Sequence, residues 1–466
     1  MAQFVLSIFC ALFVCAAVPF STHAQAPAPP ESTAADSSSD DPLTLFPHSD
    51  TSRYWISGQA NIVLQWHPAF PAAYSGPNSL RSHAENATSK VYTLYLGYAL
   101  TPTTEVFLDV ESAGGHGISN ALGLGGITNL DVVRNTTLSQ KPYLARVMLR
   151  QIIPLGDQRV EADRDELHLA TSLPARRIEF RVGKLDLVDF FDLNTYGSDS
   201  HLQFLNWTTD NNGAYDYAAN TRGYTDGVIL EYDDHWWSAR FAEALMPKVA
   251  NGINLDADVA RARAENLELE ARGNLIAHRA GTVRFLSYLN HADMGNYREA
   301  IDDYLAGPKT APPDITLTRR QGRHKYGFGL NFEQEITPQV SAFGRLGWSD
   351  GRNESFAYTE VDRTLELGGF TKGDLWHRRN DRAGAVFVAN GIVAAHQQYL
   401  ALGGLGFLLG DGGLTYGPEK IFEGFYTAHL WRGFFASFDL QHINNPGYNQ
   451  ARGPVTVPGL RFHTDF

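Results

Sequence analysis

Apolar and polar side chains alternate with a period of two along most of the chain, and this alternation limits the possible folds more than any other feature. In residues 325–335 (KYGFGLNFEQE), the even positions from Tyr326 to Phe332 are aromatic or leucine, and the odd positions are charged, polar or glycine. Successive residues of a β-strand point to opposite faces, so this period predicts strands with one apolar face. The pattern recurs in residues 92–99, 105–111, 178–183, 267–270, 434–441 and 460–466.

Such strands occur both in soluble sheets with one solvated face and in outer-membrane barrels with lipid outside and water inside. Opposite charges on the polar rows, such as Glu179 with Arg181, suit a solvated lumen, and long all-apolar strands for a layered soluble core are absent. Aromatic residues at the ends of apolar rows are typical of membrane interfaces. A large soluble β-sandwich or propeller remains the alternative fold. The aromatic row ends are Tyr54, Trp66, Tyr92, Tyr98, Tyr326 and Trp348.

The length of the chain suits a single barrel. A spanning strand needs about 9 to 11 residues, so about 420 ordered residues provide roughly 16 to 18 strands. We therefore predict an all-β, transmembrane antiparallel barrel of the porin type with about 16 strands, wide enough to enclose an aqueous channel. The formal net charge of −13 disfavours binding to nucleic acid but does not decide ion selectivity, because the loops hold an unknown share of it.

The N-terminal segment predicts export. Residues 1–26 contain no Asp, Glu, Lys or Arg and end in a small-residue sequence, which is typical of a cleaved signal peptide. Cys10 and Cys15 both lie in this segment, so the mature protein would contain no thiol. Residues 27–50 are rich in Pro, Ser and Asp and predict a flexible acidic leader. The barrel domain is expected to occupy residues 51–466.

Signatures of catalysis are missing from the sequence. It contains no G-x-S-x-G elbow, P-loop or H-E-x-x-H motif, and its histidines, such as His377 and His396, have no second ligand at metal spacing. Residues 210–216 (DNNGAYD) lack the full EF-hand pattern and are interpreted as a loop. We expect no enzymatic activity, no cofactor and no metal site.

Several longer strings resemble the carbohydrate-selective porin family of the OprB type. They are residues 183–207 (GKLDLVDFFDLNTYGSDSHLQFLNW), 213–223 (GAYDYAANTRG), 325–335, 347–363 (GWSDGRNESFAYTEVDR), 399–419 (YLALGGLGFLLGDGGLTYGPE) and 445–459 (NPGYNQARGPVTVPG).

This resemblance implies a bacterial outer-membrane channel through which sugars and other small solutes diffuse passively. It also implies that Phe466, with Phe462 on the same strand face, is the signal read by the barrel-assembly machinery. The expected partners are outer-membrane lipid, carbohydrates in transit and that machinery, whereas the oligomeric state is not predicted. The competing function is an exported periplasmic β protein that binds or cleaves sugars.

Sugar selectivity in a porin depends on polar and charged groups at a constriction, together with aromatic faces that pack on the sugar ring. The segment from Asp189 to Trp207 has this mixture and is either an inward-folded constriction loop or an ordinary connection with turn hydrogen bonds. Basic residues on nearby strands could oppose it or simply line water. The candidates are Asp189, Asp192, Asn194, Tyr196, Asn206 and Trp207, with Arg146, Arg150, Arg181 and Lys184.

Overall fold

Eighteen strands and three short α-helices form the described part of the chain, which in this computed structural model comprises residues 43–135 and 137–466. The predicted signal peptide and residues 27–42 of the leader lie outside these residues. The strands are β1 (Tyr54–His67), β2 (Glu85–Thr101), β3 (Thr104–Gly115), β4 (Tyr143–Pro154), β5 (Arg159–Glu161), β6 (Ser172–Pro174), β7 (Arg177–Leu185), β8 (Thr225–Asp233), β9 (Trp237–Leu245), β10 (Arg263–Ile276), β11 (Arg279–Met294), β12 (Arg320–Glu335), β13 (Val340–Ser349), β14 (Arg363–Lys372), β15 (Arg382–Gly391), β16 (Glu419–Trp431), β17 (Phe434–Asn444) and β18 (Val455–Asp465). The helices are α1 (Trp207–Asp210), α2 (Tyr297–Ala306) and α3 (Ala394–Ala401).

All strands except β5 and β6 form one closed antiparallel barrel of sixteen strands. Each strand pairs with its neighbour along the chain, and β1 closes the barrel against β18 with Gln59 opposite Asp465 and Gln65 opposite Gly459. Closure leaves no unpaired sheet edge, which a membrane-spanning sheet requires. The predicted barrel class and strand number are confirmed.

The two ends of the barrel differ. Short connections lie at the turn end, where Ala277 and His278 both have positive φ, as a two-residue hairpin between twisted strands requires. One turn-end connection is long, comprises residues 155–176 and contains the β5–β6 hairpin. Longer loops lie at the loop end: L1 (68–84), L2 (116–142), L3 (186–224), L4 (246–262), L5 (295–319), L6 (350–362), L7 (392–418) and L8 (445–454).

The outer face of the barrel is apolar. In β12, Phe328 and Leu330 are exposed, whereas Lys325 and Asn331 on the opposite face are buried. Aromatic residues on the outer face concentrate at strand ends, where Tyr54 pairs with Tyr98 and Trp431 stacks near Phe434. This arrangement matches a lipid-facing band with aromatic belts at its edges. Within the described residues, no helix is long and apolar enough to cross a membrane.

The C-terminal strand ends beside the first strand. Phe466 N donates to Gly58 O at 2.9 Å, and Gly58 N donates to Phe466 O at 2.7 Å. This pairing continues strand β18, so Phe466 has the same strand parity as the exposed Phe462. Residues 43–50, which the sequence assigned to the leader, contact this end: Leu45 N donates to Asp465 O at 2.9 Å, and His48 packs on Trp55 with ring centroids 4.2 Å apart.

Candidate functional site

Loop L3 lies inside the barrel. Its residues Phe191 and Phe204 are fully buried, and the Phe204 ring packs edge-on against Phe425 of the wall at 4.7 Å and near Phe343 at 5.7 Å. Burying these aromatic groups favours the inward position of the loop over exposure to solvent. L3 packs against the strands β10–β18, called here the packed side, and a cavity remains between L3 and the strands β1–β4, called here the open side.

Arg345 on β13 anchors the loop to the packed side. Its guanidinium is fully buried, with Nε 3.0 Å from Asp192 Oδ2 of L3 and Nη1 3.0 Å from Glu366 Oε2 of β14. The same guanidinium donates to the carbonyl oxygens of Thr209 at 2.6 Å and Asp210 at 2.9 Å. Five such donors in one plane suit a site where several loop carbonyls converge.

Carboxylates of the wall accept the backbone N–H groups of L3, which has little regular structure of its own. Glu268 accepts from Asp192 N at 2.7 Å, and Glu423 accepts from Leu205 N at 2.6 Å and from Asn206 N at 3.1 Å. Buried N–H groups without partners would destabilise the fold, so these acids allow an irregular loop to be buried. Similarly, Glu419 accepts from Gly126 N of L2 at 2.7 Å.

Two inward-facing glycines make room for L3. Gly329 and Gly347 are paired across β12 and β13, and Asn212 of L3 lies against both. A Cβ at Gly329 would lie 2.9 Å from Asn212 Nδ2, and a Cβ at Gly347 would overlap Asn212 Oδ1. These glycines belong to two of the strings on which the family resemblance rests, so close approach of the loop explains their place in the sequence.

A ladder of alternating charges crosses the inner wall from β3 to β12. Its arginines bridge carboxylates of neighbouring strands: Arg150 Nη1 lies 2.9 Å from Glu105, Arg150 Nε lies 2.7 Å from Glu179, and Arg181 Nη1 lies 2.9 Å from Glu231. Each guanidinium is buried and therefore needs its neighbouring acids. The ladder continues through Arg240 with Glu231 and Glu268, and through Arg284 with Glu270 and Glu333.

A cavity of about 750 Å³ lies between L3 and the open side. Its lining includes Arg222 near the loop end and His48 near the turn end, so it extends along the barrel. We call this cavity the lumenal passage.

Three aromatic rings of L3 and L6 border the lumenal passage. Trp207 and Tyr358 stack with ring planes 9° apart and centroids at 5.2 Å, and Tyr217 lies 4.8 Å from Tyr358. Asp216 holds the two loops together, because it accepts backbone N–H groups of Phe356 and Ala357 at 2.8 Å. The result is a firmly held aromatic surface at the edge of a polar cavity.

Arg146 is the cation of the open side that borders the lumenal passage from a strand. It forms ion pairs with Asp109 of β3 and Asp189 of L3. The second oxygen of Asp109, Oδ1, is buried and has no hydrogen-bond partner among the described residues. This site combines a planar donor with acceptors, which is the chemistry that recognises hydroxyl groups.

His201 connects L3 to L2 within the lumenal passage. Its Nε2 lies 3.6 Å from Asp131 Oδ1, and its ring stacks on His463 at 5.4 Å. Burial lowers the pKa of His201, but the hydrogen bond and charge of Asp131 outweigh it and raise this pKa to about 9. The same pairing outweighs burial at Asp131 and lowers the pKa of that carboxyl.

The long turn-end connection also enters the barrel. Leu169 is buried and its N donates to Glu105 Oε1 at 3.3 Å, and Arg164 Nη1 donates to Ser52 O at 3.0 Å. These contacts bring Glu166 to the lining of the lumenal passage. Residues 155–176 therefore form a second inserted segment, which no pattern in their sequence predicted.

The ten predicted site residues separate into three groups. Arg146, Asp189 and Trp207 border the lumenal passage. The side chain of Lys184 lies on the outer face, since Lys184 is paired with the exposed Val147 and its Nζ donates to Leu144 O at 2.6 Å. The prediction that Lys184 belongs with the inward-facing cations is therefore wrong, because strand parity places it on the opposite face. The remaining six, which hold L3 or form the ladder, are Arg150, Arg181, Asp192, Asn194, Tyr196 and Asn206.

Several lining residues were missed by sequence reasoning. Tyr217 and Tyr358 lie in strings already noted for the resemblance, but nothing in either string indicates that the two rings meet. Asp186 and Asp210 resemble ordinary turn residues in the sequence. Burial raises the pKa of Asp210 to about 7 and, with the charge of Asp189, raises the pKa of Asp186. No group of three or more His, Cys, Asp and Glu residues suited to a metal ion occurs in the described part of the chain.

Comparisons with known proteins identify similar chains. A family model described as the carbohydrate-selective porin, OprB family, matches residues 91–466. The high-pH structure of Pseudomonas putida OprB aligns with a TM-score of 0.66 and 14% identity, covering 89% of this chain and 94% of that chain. The outer membrane channel DcaP of Acinetobacter baumannii aligns with a TM-score of 0.49 and 9% identity, covering 89% and 97%. A comparison with curated protein sequences finds no match.

Proposed function

The chain belongs to the OprB family of carbohydrate-selective porins and is an outer-membrane channel for carbohydrates, and we propose that sugars diffuse passively along the lumenal passage between L3 and the open side. L3 would form the constriction, because it fills the packed side and leaves this space. The gradient of the sugar itself would drive transport.

The observation that carries this proposal is the pairing of an aromatic surface with polar groups. Trp207 is partly exposed and is supported from behind by the stacked, buried Tyr358, so it offers a face on which the apolar side of a sugar ring can pack. Arg146, Asp109 and Asp189 offer donors and acceptors for its hydroxyl groups. Both sets line the same cavity of about 750 Å³, which is large enough for a monosaccharide.

We assign different roles to the predicted residues. Arg146, Asp189 and Trp207 would contact the solute. Asp192, Asn194 and the other four residues that hold L3 or form the ladder would position the loop, since each contacts other protein groups and none lines the lumenal passage.

Further features of the proposal follow from the sequence. Residues 1–26 would be removed during export, residues 27–50 would form the leader, and residues 51–466 would form the barrel. Phe462 and Phe466 would be read by the assembly machinery, and lipid would contact the outer face. The channel would act without catalytic turnover and without a cofactor.

Liposome swelling with sugars of graded size, together with planar-bilayer conductance, tests the proposed function. We expect monosaccharides to permeate and the rate to fall as solute size increases. Arg146→Ala should change the rate, whereas Arg320→Ala, which alters an exposed loop-end arginine, should not. Bilayers that conduct ions while liposomes admit no monosaccharide would contradict the proposal.

A further inference from the structure

The lining of the lumenal passage carries an excess of negative groups. Within the described residues, ten carboxyl groups line it, against three arginines and three histidines. The lining carboxyl groups are Asp109, Glu111, Asp131, Asp165, Glu166, Asp186, Asp189, Asp199, Asp210 and Asp465, and the lining arginines are Arg146, Arg164 and Arg222.

Two buried arginines of the inner wall, Arg345 and Arg240, do not offset this excess. Arg345 is fully buried between Asp192 and Glu366, and Arg240 is buried between Glu231 and Glu268. None of these residues lines the lumenal passage. Their charges are compensated locally by carboxylates at ion-pair distance, so their field at the solute path is small.

Among the described residues, four acids of the lining have no cationic partner at ion-pair distance: Glu111, Glu166, Asp186 and Asp210. Asp186 accepts a hydrogen bond only from the nearby Val188 N, at 3.2 Å, and Glu166 lies on the inserted turn-end segment. Asp109 Oδ1 and Asn211 Oδ1 are buried acceptors without hydrogen-bond partners, and both residues line the same cavity. In the described part of the chain, unpartnered N–H groups of Arg146, Arg164 and Arg222 line the same cavity, so its distinguishing feature is the excess of acids and not the number of hydrogen-bond acceptors.

We propose that the lumenal passage selects by charge, admitting neutral sugars and positively charged amino sugars ahead of sugar acids, and inorganic cations ahead of anions. Carboxylate-lined pores favour cations, and low-dielectric walls strengthen the field of one sign along the path. This inference rests on the proposed function, because it concerns solutes that follow the same path.

Protonation of the lining modulates this preference. Burial raises the pKa of Asp210 to about 7, although the positive charge of Arg345 acts to lower it. The other charged neighbours of Asp210 are Asp199, Asp131 and His201. Below pH 7 Asp210 is neutral, and above it the passage gains a negative charge. The preference for cations therefore increases as the pH rises from 6 to 8.

Bilayers of the purified barrel under a KCl gradient test the inference by reversal potential. The wild-type channel should give a potassium-to-chloride permeability ratio above one. Asp189→Asn with Asp165→Asn should lower this ratio at least threefold, because both carboxyl groups are partly exposed to the passage and one charge about 7 Å from the path in water changes the permeability of a single ion about threefold. The control Asp302→Asn removes the same charge from exposed helix α2 and should leave the ratio unchanged.

Swelling assays with glucosamine, neutral N-acetylglucosamine and gluconate separate the two proposals. Faster uptake of glucosamine than of gluconate, reduced in the double variant, supports charge selection. Uptake of neutral sugar with a chloride-preferring reversal potential, or with a ratio that the double variant leaves unchanged, overturns the inference and leaves the proposed function intact. Absence of uptake for every neutral sugar overturns the proposed function instead.

Discussion

The packed side and the open side of the barrel interior use the same residue types in different ways. On the packed side, Arg345 and Glu423 hold loop backbone and are buried in compensated contacts. Facing the open side, Asp186 and Asp189 of L3 border the lumenal passage. A charged inward-facing residue is therefore either part of the scaffold or part of the solute path, and the position of L3 determines which.

Among the variants considered, removal of Arg345 should destabilise the packed side most strongly. Arg345→Gln leaves Asp192 and Glu366 buried without their cation, and loss of one partner of a buried ion pair costs roughly 3–5 kcal/mol. We expect a lower free energy of unfolding in detergent and a higher single-channel conductance as L3 loosens. The exposed Arg320→Gln is the matched control; equal stability of the two variants would contradict the role of Arg345 as an anchor.

Filling the space at Gly347 should displace L3 without removing a charge. In Gly347→Val the new side chain overlaps Asn212, and overpacking costs roughly 1–3 kcal/mol. The expected result is increased conductance in bilayers. At Gly369 the nearest atom to an added Cβ is 3.8 Å away, so Gly369→Val should retain wild-type conductance. If both variants conduct like the wild type, L3 does not depend on the glycine pair.

The aromatic surface should affect sugar binding more than ion conduction. Tyr358→Leu removes the ring that stacks on Trp207, and such aromatic contacts contribute about 0.5–1.5 kcal/mol, or roughly two- to twelvefold in affinity. The measurement is the block of ion current by added sugar. Tyr92→Leu removes a ring from the exposed outer face, outside the cavity lining, and should leave the block unchanged. An unchanged block in Tyr358→Leu would exclude this surface from the sugar path.

The contact between His201 and Asp131 should make the position of L3 depend on pH. Because the pKa of His201 is raised to about 9, its contribution to stability is complete below about pH 6.5 and is lost as the pH rises through about 9. Between pH 8 and 10 we expect current noise to increase as L3 detaches from L2. His201→Gln should show the same noise at both pH values, and a wild-type channel that is equally quiet at both would refute the linkage.

The smallest effect is expected at Lys184. Its side chain is on the outward row beside Val147, so Lys184→Gln should alter neither sugar uptake nor the permeability ratio. Parallel swelling and reversal-potential measurements check this expectation. A change as large as that of Arg146→Ala would mean that Lys184 reaches the solute path after all.

Much of the barrel was predictable from local pattern. The alternation from Tyr326 to Phe332 identified β12 and its outer face, because strand parity depends only on successive residues. The length of the chain predicted about sixteen strands. Parity also placed Arg146, Arg150 and Arg181 on the inner face, but Lys184 was grouped with them although it has the opposite parity.

The site was less predictable because its contacts join distant parts of the chain. Asp192 and Asp189 are three residues apart and chemically identical, yet one is buried against Arg345 and the other borders the cavity. Nothing local distinguishes them. Trp207 and Tyr358 are 151 residues apart along the chain, and they meet because L3 and L6 are held together by several hydrogen bonds, including those to Asp216.

The sequence by itself determined that this chain forms a closed sheet with an apolar outside and a charged inside, since both properties follow from a period of two and from the number of strand-length segments. Only the tertiary structure decided where the water-filled path lies and which charges face it. That decision depends on how L3 folds into the barrel, because the buried loop is held by wall residues that come from many different strands.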